Sequence, residues 1–268
     1  MRRHSDRQKD ARRPGRKGIY ILPNLFTTAG LFFGFYAIVQ ASKGDFENAA
    51  VAIFVAMIMD GLDGRVARLT GTTSDFGKEY DSLVDVISFG LTPALVMYEW
   101  ALSGNGKLGW LSAFLYVAAT ALRLARFNTQ QTADKRYFQG LPCPAAAAFM
   151  AAWVWALDSS GLQDLGTGPL SLLVTVALAL AMVSNLPYKS FKDFDLKGRV
   201  PFVALILLVL VFVLISSDPP RVLFALFLSY TVSGPVLWLV RRRRAGGVPA
   251  GSETPPSEGS ADNAASPK

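Results

Sequence analysis

Residues 57–90 read MIMDGLDGRVARLTGTTSDFGKEYDSLVDVISFG. Two apolar stretches flank a polar turn, and each carries carboxylates at helical spacing. Asp60, Asp63, Gly64, Ala67 and Arg68 are separated by 3, 1, 3 and 1 positions. On a helix those five share one face. Gly77, Asp81 and Asp85 are separated by 4 and 4, again one face. The turn centres near Thr73, with Asp60 13 residues before it and Asp85 12 after it. Two antiparallel helices therefore bring all four carboxylates to a similar depth. Charges inside apolar spans are costly and mark function.

Working outward, the whole chain is apolar in the same way. Of its 268 residues 51% are hydrophobic, yet 18% are charged. The charges are segregated from long apolar runs at about 20–41, 46–66, 80–101, 108–127, 141–158, 168–187, 200–217 and 221–240. A bilayer core of about 30 Å takes about 20 residues of helix. The expected fold is all-α, a polytopic membrane helical bundle of about eight transmembrane helices. We divide the chain into a basic arm (1–17), a membrane catalytic domain (18–243) and a polar tail (244–268). The tail is rich in Gly, Pro, Ser and Ala and reads as disordered. The first run is too long for a signal-peptide core and more spans follow it, so no cleavable signal is expected. No internal repeat is visible.

Charge placement sets an expected orientation. All but three of the 27 basic residues fall on the side that carries the N-terminus; the exceptions are Lys43, Lys107 and Arg221. The positive-inside rule then puts both termini, and the carboxylates, in the cytoplasm. The formal net charge of +7 fits attraction to anionic lipid. The basic residues lack aromatic interleaving and any recognised module, so no nucleic-acid partner is expected. Cys143 is the single cysteine, which excludes an internal disulfide, and His4 is the single histidine. Zinc–histidine sites and histidine bases are thereby set aside.

Four clustered carboxylates stay ionised when cations neutralise them. Oxygen-only ligands select hard divalent ions such as Mg²⁺ or Mn²⁺. Four acids suit two ions roughly 3.5–4 Å apart, the arrangement used in phosphoryl displacement. Gly64 and Ala67 remove bulk from the same face, and Arg68 supplies a fork for a phosphate oxygen. Together these point to a nucleotide diphosphate substrate. Blander readings compete with this one. Asp63–Arg68 and Asp60–Arg65 suit structural ion pairs, and Gly64 suits helix packing. The whole stripe also suits the cation path of a transporter.

The pattern D-x2-D-G-x2-A-R-x8-G-x3-D-x3-D resembles the signature of the CDP-alcohol phosphotransferases and matches it without departure. That resemblance implies a helical membrane fold, a cytoplasm-facing two-metal site and a homodimer. It implies that Asp60, Asp63, Asp81 and Asp85 ligate metal and that Asp85 is also the catalytic base. It assigns Gly64, Ala67, Arg68, Ser74 and Gly77 to the CDP-lipid site. The segment YILPNLFTTAGLFFGF resembles the family's Pro-Asn segment, so Pro23 and Asn24 would border the nucleotide. LRLARFN (122–128), FQGLPCPAAAA (138–148) and NLPYKSFKDFDLK (185–197) resemble the branch that joins CDP-diacylglycerol to L-serine. Arg123, Arg126, Lys135 and Arg136 are the candidates for holding the serine carboxylate. Glycerol phosphate and inositol phosphate stay open as acceptors, because they too are anionic. Arg123 and Arg126 also suit plain inner-face anchors.

Overall fold

The computed structural model describes residues 21–129, 137–162, 168–189 and 202–245. The basic arm, the acceptor candidates Lys135 and Arg136, residues 190–197 of the NLPYKSFKDFDLK stretch and the tail from 246 onward lie outside the described residues.

Helix α1 (Ile21–Ser42) is followed by α2 (Phe46–Thr70). Asp45 caps α2 by accepting from the Asn48 amide at 3.2 Å. Gly71 ends α2 in the left-handed conformation at φ 62°, where a glycine avoids the Cβ penalty. Three residues later Ser74 starts α3 (Asp75–Asp85), accepting from the Gly77 amide at 3.0 Å. The rod then continues through a π-helical segment (Val86–Leu91), α4 (Thr92–Met97) and a second π-helical segment (Tyr98–Leu102). A 3₁₀ turn (Ser103–Asn105) leads to α5 (Gly106–Thr129). Helix α5 folds back on the rod, for the Tyr116 hydroxyl donates to the Phe89 carbonyl at 3.2 Å. After β1 (Tyr137–Gln139) come α6 (Cys143–Ser159), α7 (Pro169–Val183), β2 (Pro187–Lys189), α8 (Phe202–Ser217) and α9 (Pro219–Ala245).

This is an all-α membrane fold with one small exception. Leu22–Ser42, the run Asp75–Thr129 and Pro219–Val240 are long and apolar enough to cross a bilayer, and Pro169–Val183 is a shorter apolar helix. Helices overlap the apolar runs, but three helical runs, not eight, have the length and apolarity of a span among the described residues. The largest shifts are five residues each, at the start of α3, which begins at Asp75 rather than 80 because its first turn is polar, and at the end of α9, at Ala245 rather than 240. The exception is the antiparallel ribbon of β1 and β2, which pairs Phe138 with Tyr188. Three-residue strands leave no readable period in a sequence.

The interior is built from small residues. Ala37, Ala49, Ala50, Ala56, Ala146 and Ala152 are fully buried. Larger side chains such as Phe89, Met97 and Tyr116 fill the gaps between them, while many others point outward: Phe35 is 63% exposed, Phe114 63% and Phe212 69%. Small residues inside and large ones outside is the packing expected where lipid solvates the exterior. Two glycines of α1 use the same device. A β-carbon at Gly34 would lie 3.0 Å from the Ser88 hydroxyl. The bare backbone lets Ser88 donate to Gly30 O at 3.3 Å and Thr92 to Gly34 O at 3.2 Å. These bonds hold the third rod beside α1 and set the height of Asp85.

Candidate active site

Asp60 and Asp63 lie on α2, and Asp81 and Asp85 on α3. Carboxylate oxygens of Asp60, Asp63 and Asp81 lie within 4.8 Å of one another. All four acids line one small cavity of about 10 Å³, with Thr27, Gly30, Ala56, Val84, Ser88 and Phe89 completing its wall. Asp63 is buried, and the other three are half-buried. Thr27 donates its hydroxyl to Asp63 Oδ2 at 2.8 Å and also reaches Pro23 O at 3.2 Å. Sequence reasoning missed Thr27. Its signal was present, since Thr27 follows Pro23 by four residues and so shares its helix face.

The structural ion pairs weighed above are not formed. Among the described residues the ion pairs are Lys78–Asp75 at 3.3 Å and Arg221–Asp218 at 2.9 Å, both i,i+3 pairs at helix starts. No basic side chain among them pairs with the four aspartates. The donor set is therefore oxygen-only, convergent and without a protein counter-charge, which fits a hard divalent cation.

Beside the acidic cavity opens a pocket of about 240 Å³. Pro23, Asn24, Gly64, Ala67, Arg68, Ser74 and Gly77 all line it, so the residues expected to meet the CDP-lipid converge on one space. Thr27, Asp63 and Asp81 face both the pocket and the acidic cavity. Thr72, Thr73 and Lys78 are lining residues that the sequence did not single out. Gly64 does not serve helix packing here, since a β-carbon at that position would meet nothing within 4 Å. Its bare backbone faces the pocket. At Gly77 a β-carbon would lie 3.1 Å from the Ser74 hydroxyl and 3.4 Å from Asn24 Oδ1. That glycine lets the Ser74 cap and Asn24 close the pocket floor.

The two arginines of α5 differ sharply. Arg126 donates to Gln139 Oε1, to Asn185 Oδ1 at 2.8 Å and to Val183 O at 3.4 Å. It ties α5 to the ribbon and to the end of α7. Arg123 is half-buried, and its Nη1 reaches Cys143 Sγ at 3.6 Å. Its Nε is buried without a partner. Cys143 is fully buried. Asn128, at the end of the LRLARFN stretch, donates to the Ser82 hydroxyl at 2.9 Å and holds α5 to α3.

A family profile described as CDP-alcohol phosphatidyltransferase matches residues 20–233. The chain belongs to the CDP-alcohol phosphatidyltransferase family. Both walls of the site, from Pro23 to Asp85, fall inside the matched span of this phosphatidyltransferase. A CDP-diacylglycerol–serine O-phosphatidyltransferase of Helicobacter pylori is 40% identical over 222 residues, covering 82% of this chain and 92% of the relative. A Mycobacterium tuberculosis protein of the same name is 36% identical over 183 residues, covering 65% of this chain and 64% of the relative. An archaetidylserine synthase of Methanothermobacter thermautotrophicus is 33% identical over 169 residues, covering 62% of this chain and 69% of the relative.

Proposed function

We propose that this chain transfers the phosphatidyl group of CDP-diacylglycerol to L-serine and releases CMP. The observation that carries the reading is the junction of the two spaces. Four carboxylates without a basic partner among the described residues line the small cavity, and two of them, Asp63 and Asp81, also line the pocket that holds Arg68 and the bare backbone of Gly64. The serine acceptor is supported by the names and coverage of the relatives.

Asp60, Asp63, Asp81 and Asp85 would hold two divalent ions, Mg²⁺ or Mn²⁺, which supply positive charge against the diphosphate and the forming alkoxide. Arg68, Gly64, Ala67, Ser74, Gly77, Pro23 and Asn24 receive the CDP moiety, while the acyl chains stay in the bilayer. Thr27 orients the Asp63 carboxylate. Arg123 binds the serine carboxylate, a role supported by a guanidinium whose Nε has no hydrogen-bond partner among the described residues. Asp85 takes the proton from the serine hydroxyl. The oxygen then attacks the phosphorus next to diacylglycerol, and the bond from that phosphorus to CMP breaks. No covalent enzyme intermediate is needed, and positioning with electrostatics supplies most of the rate.

The same proposal includes about eight spans in a homodimer in the cell membrane, with both termini and the site facing the cytoplasm. The 24-to-3 split of the basic residues supports that orientation. The test is CMP release from CDP-diacylglycerol by purified protein. Asp85→Asn keeps the side chain's size and removes the base. It abolishes release while CDP-lipid binding persists. Unchanged turnover in that variant would remove Asp85 from the chemistry.

A further inference from the structure

The inner ribbon docks on the last helix through one side chain. Tyr188 of β2 is fully buried. Its ring occupies the space that a side chain at position 234 of α9 would fill, since a β-carbon at Gly234 would overlap the ring. The next residue, Pro235, lies inside the helix. A proline has no N–H, so the carbonyl four residues earlier loses its helical donor. That carbonyl belongs to Thr231, and the Tyr188 hydroxyl donates to it at 3.1 Å. Gly234 thus makes room for the ring and Pro235 frees an acceptor for its hydroxyl. Packing alone would be satisfied by phenylalanine. The hydroxyl answers to the vacancy that the proline creates.

The anchored ring leads toward the acceptor side of the site. Tyr188 meets Tyr230 with ring centroids 5.7 Å apart. The opposite side of the ribbon is fastened by Arg126 to Gln139 and Asn185, and by Gly140 N to Leu186 O at 2.9 Å. Helix α6 starts directly after this knot at Cys143, the residue that Arg123 touches. Helix α9, the ribbon and the Arg123 guanidinium therefore form one connected wall.

We propose that Tyr188 is a positioning residue for the acceptor: seated in the notch of Gly234 and Pro235, it fixes the ribbon and, through the Gly140 knot and Cys143, Arg123. The proposal rests on the serine-transfer reading above. Its test is steady-state CMP release by wild type, Tyr188→Phe, Pro235→Ala and the double variant, with melting temperatures in detergent as a folding control. Removing one neutral hydrogen bond from a buried acceptor corresponds to a rise of about fivefold in the serine KM of Tyr188→Phe. The CDP-lipid KM and kcat stay within about twofold of wild type, because the opposite wall of the site is untouched. Pro235→Ala returns an N–H to the Thr231 carbonyl but no tether to position 188, so the double variant regains melting temperature while its serine KM stays raised. An unchanged serine KM in Tyr188→Phe, an equal rise in both KM values, or a double variant whose serine KM returns to the wild-type value overturns the positioning role. Wild-type turnover with serine is measured first. Its absence overturns the underlying reading together with the proposal, whereas its presence with an unaltered Tyr188→Phe overturns the positioning role alone.

Discussion

Thr27→Val tests whether the buried carboxylates serve as ligands. The substitution keeps the branched shape and removes only the hydroxyl that donates to Asp63 Oδ2 at 2.8 Å. A hydrogen bond to an ionised group contributes about 1.5–3 kcal/mol, and about 1.4 kcal/mol is a factor of ten. Residues that orient a ligand carboxylate commonly change metal affinity by roughly tenfold to a hundredfold when removed. The two arguments agree on size. CMP release titrated with Mg²⁺ after chelation should show a half-saturating concentration raised by about tenfold to a hundredfold. Saturating metal should restore much of the rate, and Thr27→Ser should behave like wild type. Thr28→Val is the control. Thr28 bonds Asn24 O at 2.7 Å and the Tyr80 hydroxyl at 3.0 Å rather than a carboxylate, and should leave the metal titration unmoved. Full activity after exhaustive chelation, or an identical titration for Thr27→Val, would refute the metal-site reading.

The remaining predictions concern the acceptor side and the orientation. Arg123→Ala should raise the serine KM by roughly tenfold to a hundredfold and the CDP-lipid KM little, because it removes a charge-assisted contact. Arg126→Ala should instead lower the melting temperature in detergent, since its guanidinium already serves Gln139, Asn185 and Val183. Equal kinetic effects from the two would contradict the division of labour. Reporter fusions at residues 17 and 250 should both report the cytoplasm, and an external C-terminus would mean that the spans are miscounted.

The helices were legible because apolar runs and polar breaks are local signals. The carboxylate cluster was legible because spacings of three and four residues decide which side chains share a face, and because two helices joined by a short turn must lie side by side. Thr27 was harder to see, as a threonine in an apolar run commonly bonds its own backbone, as the adjacent Thr28 does. The ribbon was invisible for a different reason. Its strands are three residues long and pair across some fifty positions, so neither period nor turn chemistry announces them. The unequal fates of Arg123 and Arg126 follow from that ribbon. Both arginines lie near one helix end at a spacing of three, yet Gln139 and Asn185, brought there by the strands, claim only the second. The notch at Gly234 and Pro235 is legible only once Tyr188 is in place, because the glycine and the proline each read singly as helix irregularities.

The most direct test of the central claim is an acceptor competition. Purified protein, CDP-diacylglycerol and Mg²⁺ are offered L-serine, glycerol 3-phosphate and inositol phosphate together, and the lipid products are identified by mass. The account predicts phosphatidylserine as the dominant product, with CMP released in equal amount. A dominant phosphorylated product would contradict the serine assignment and leave the family membership standing.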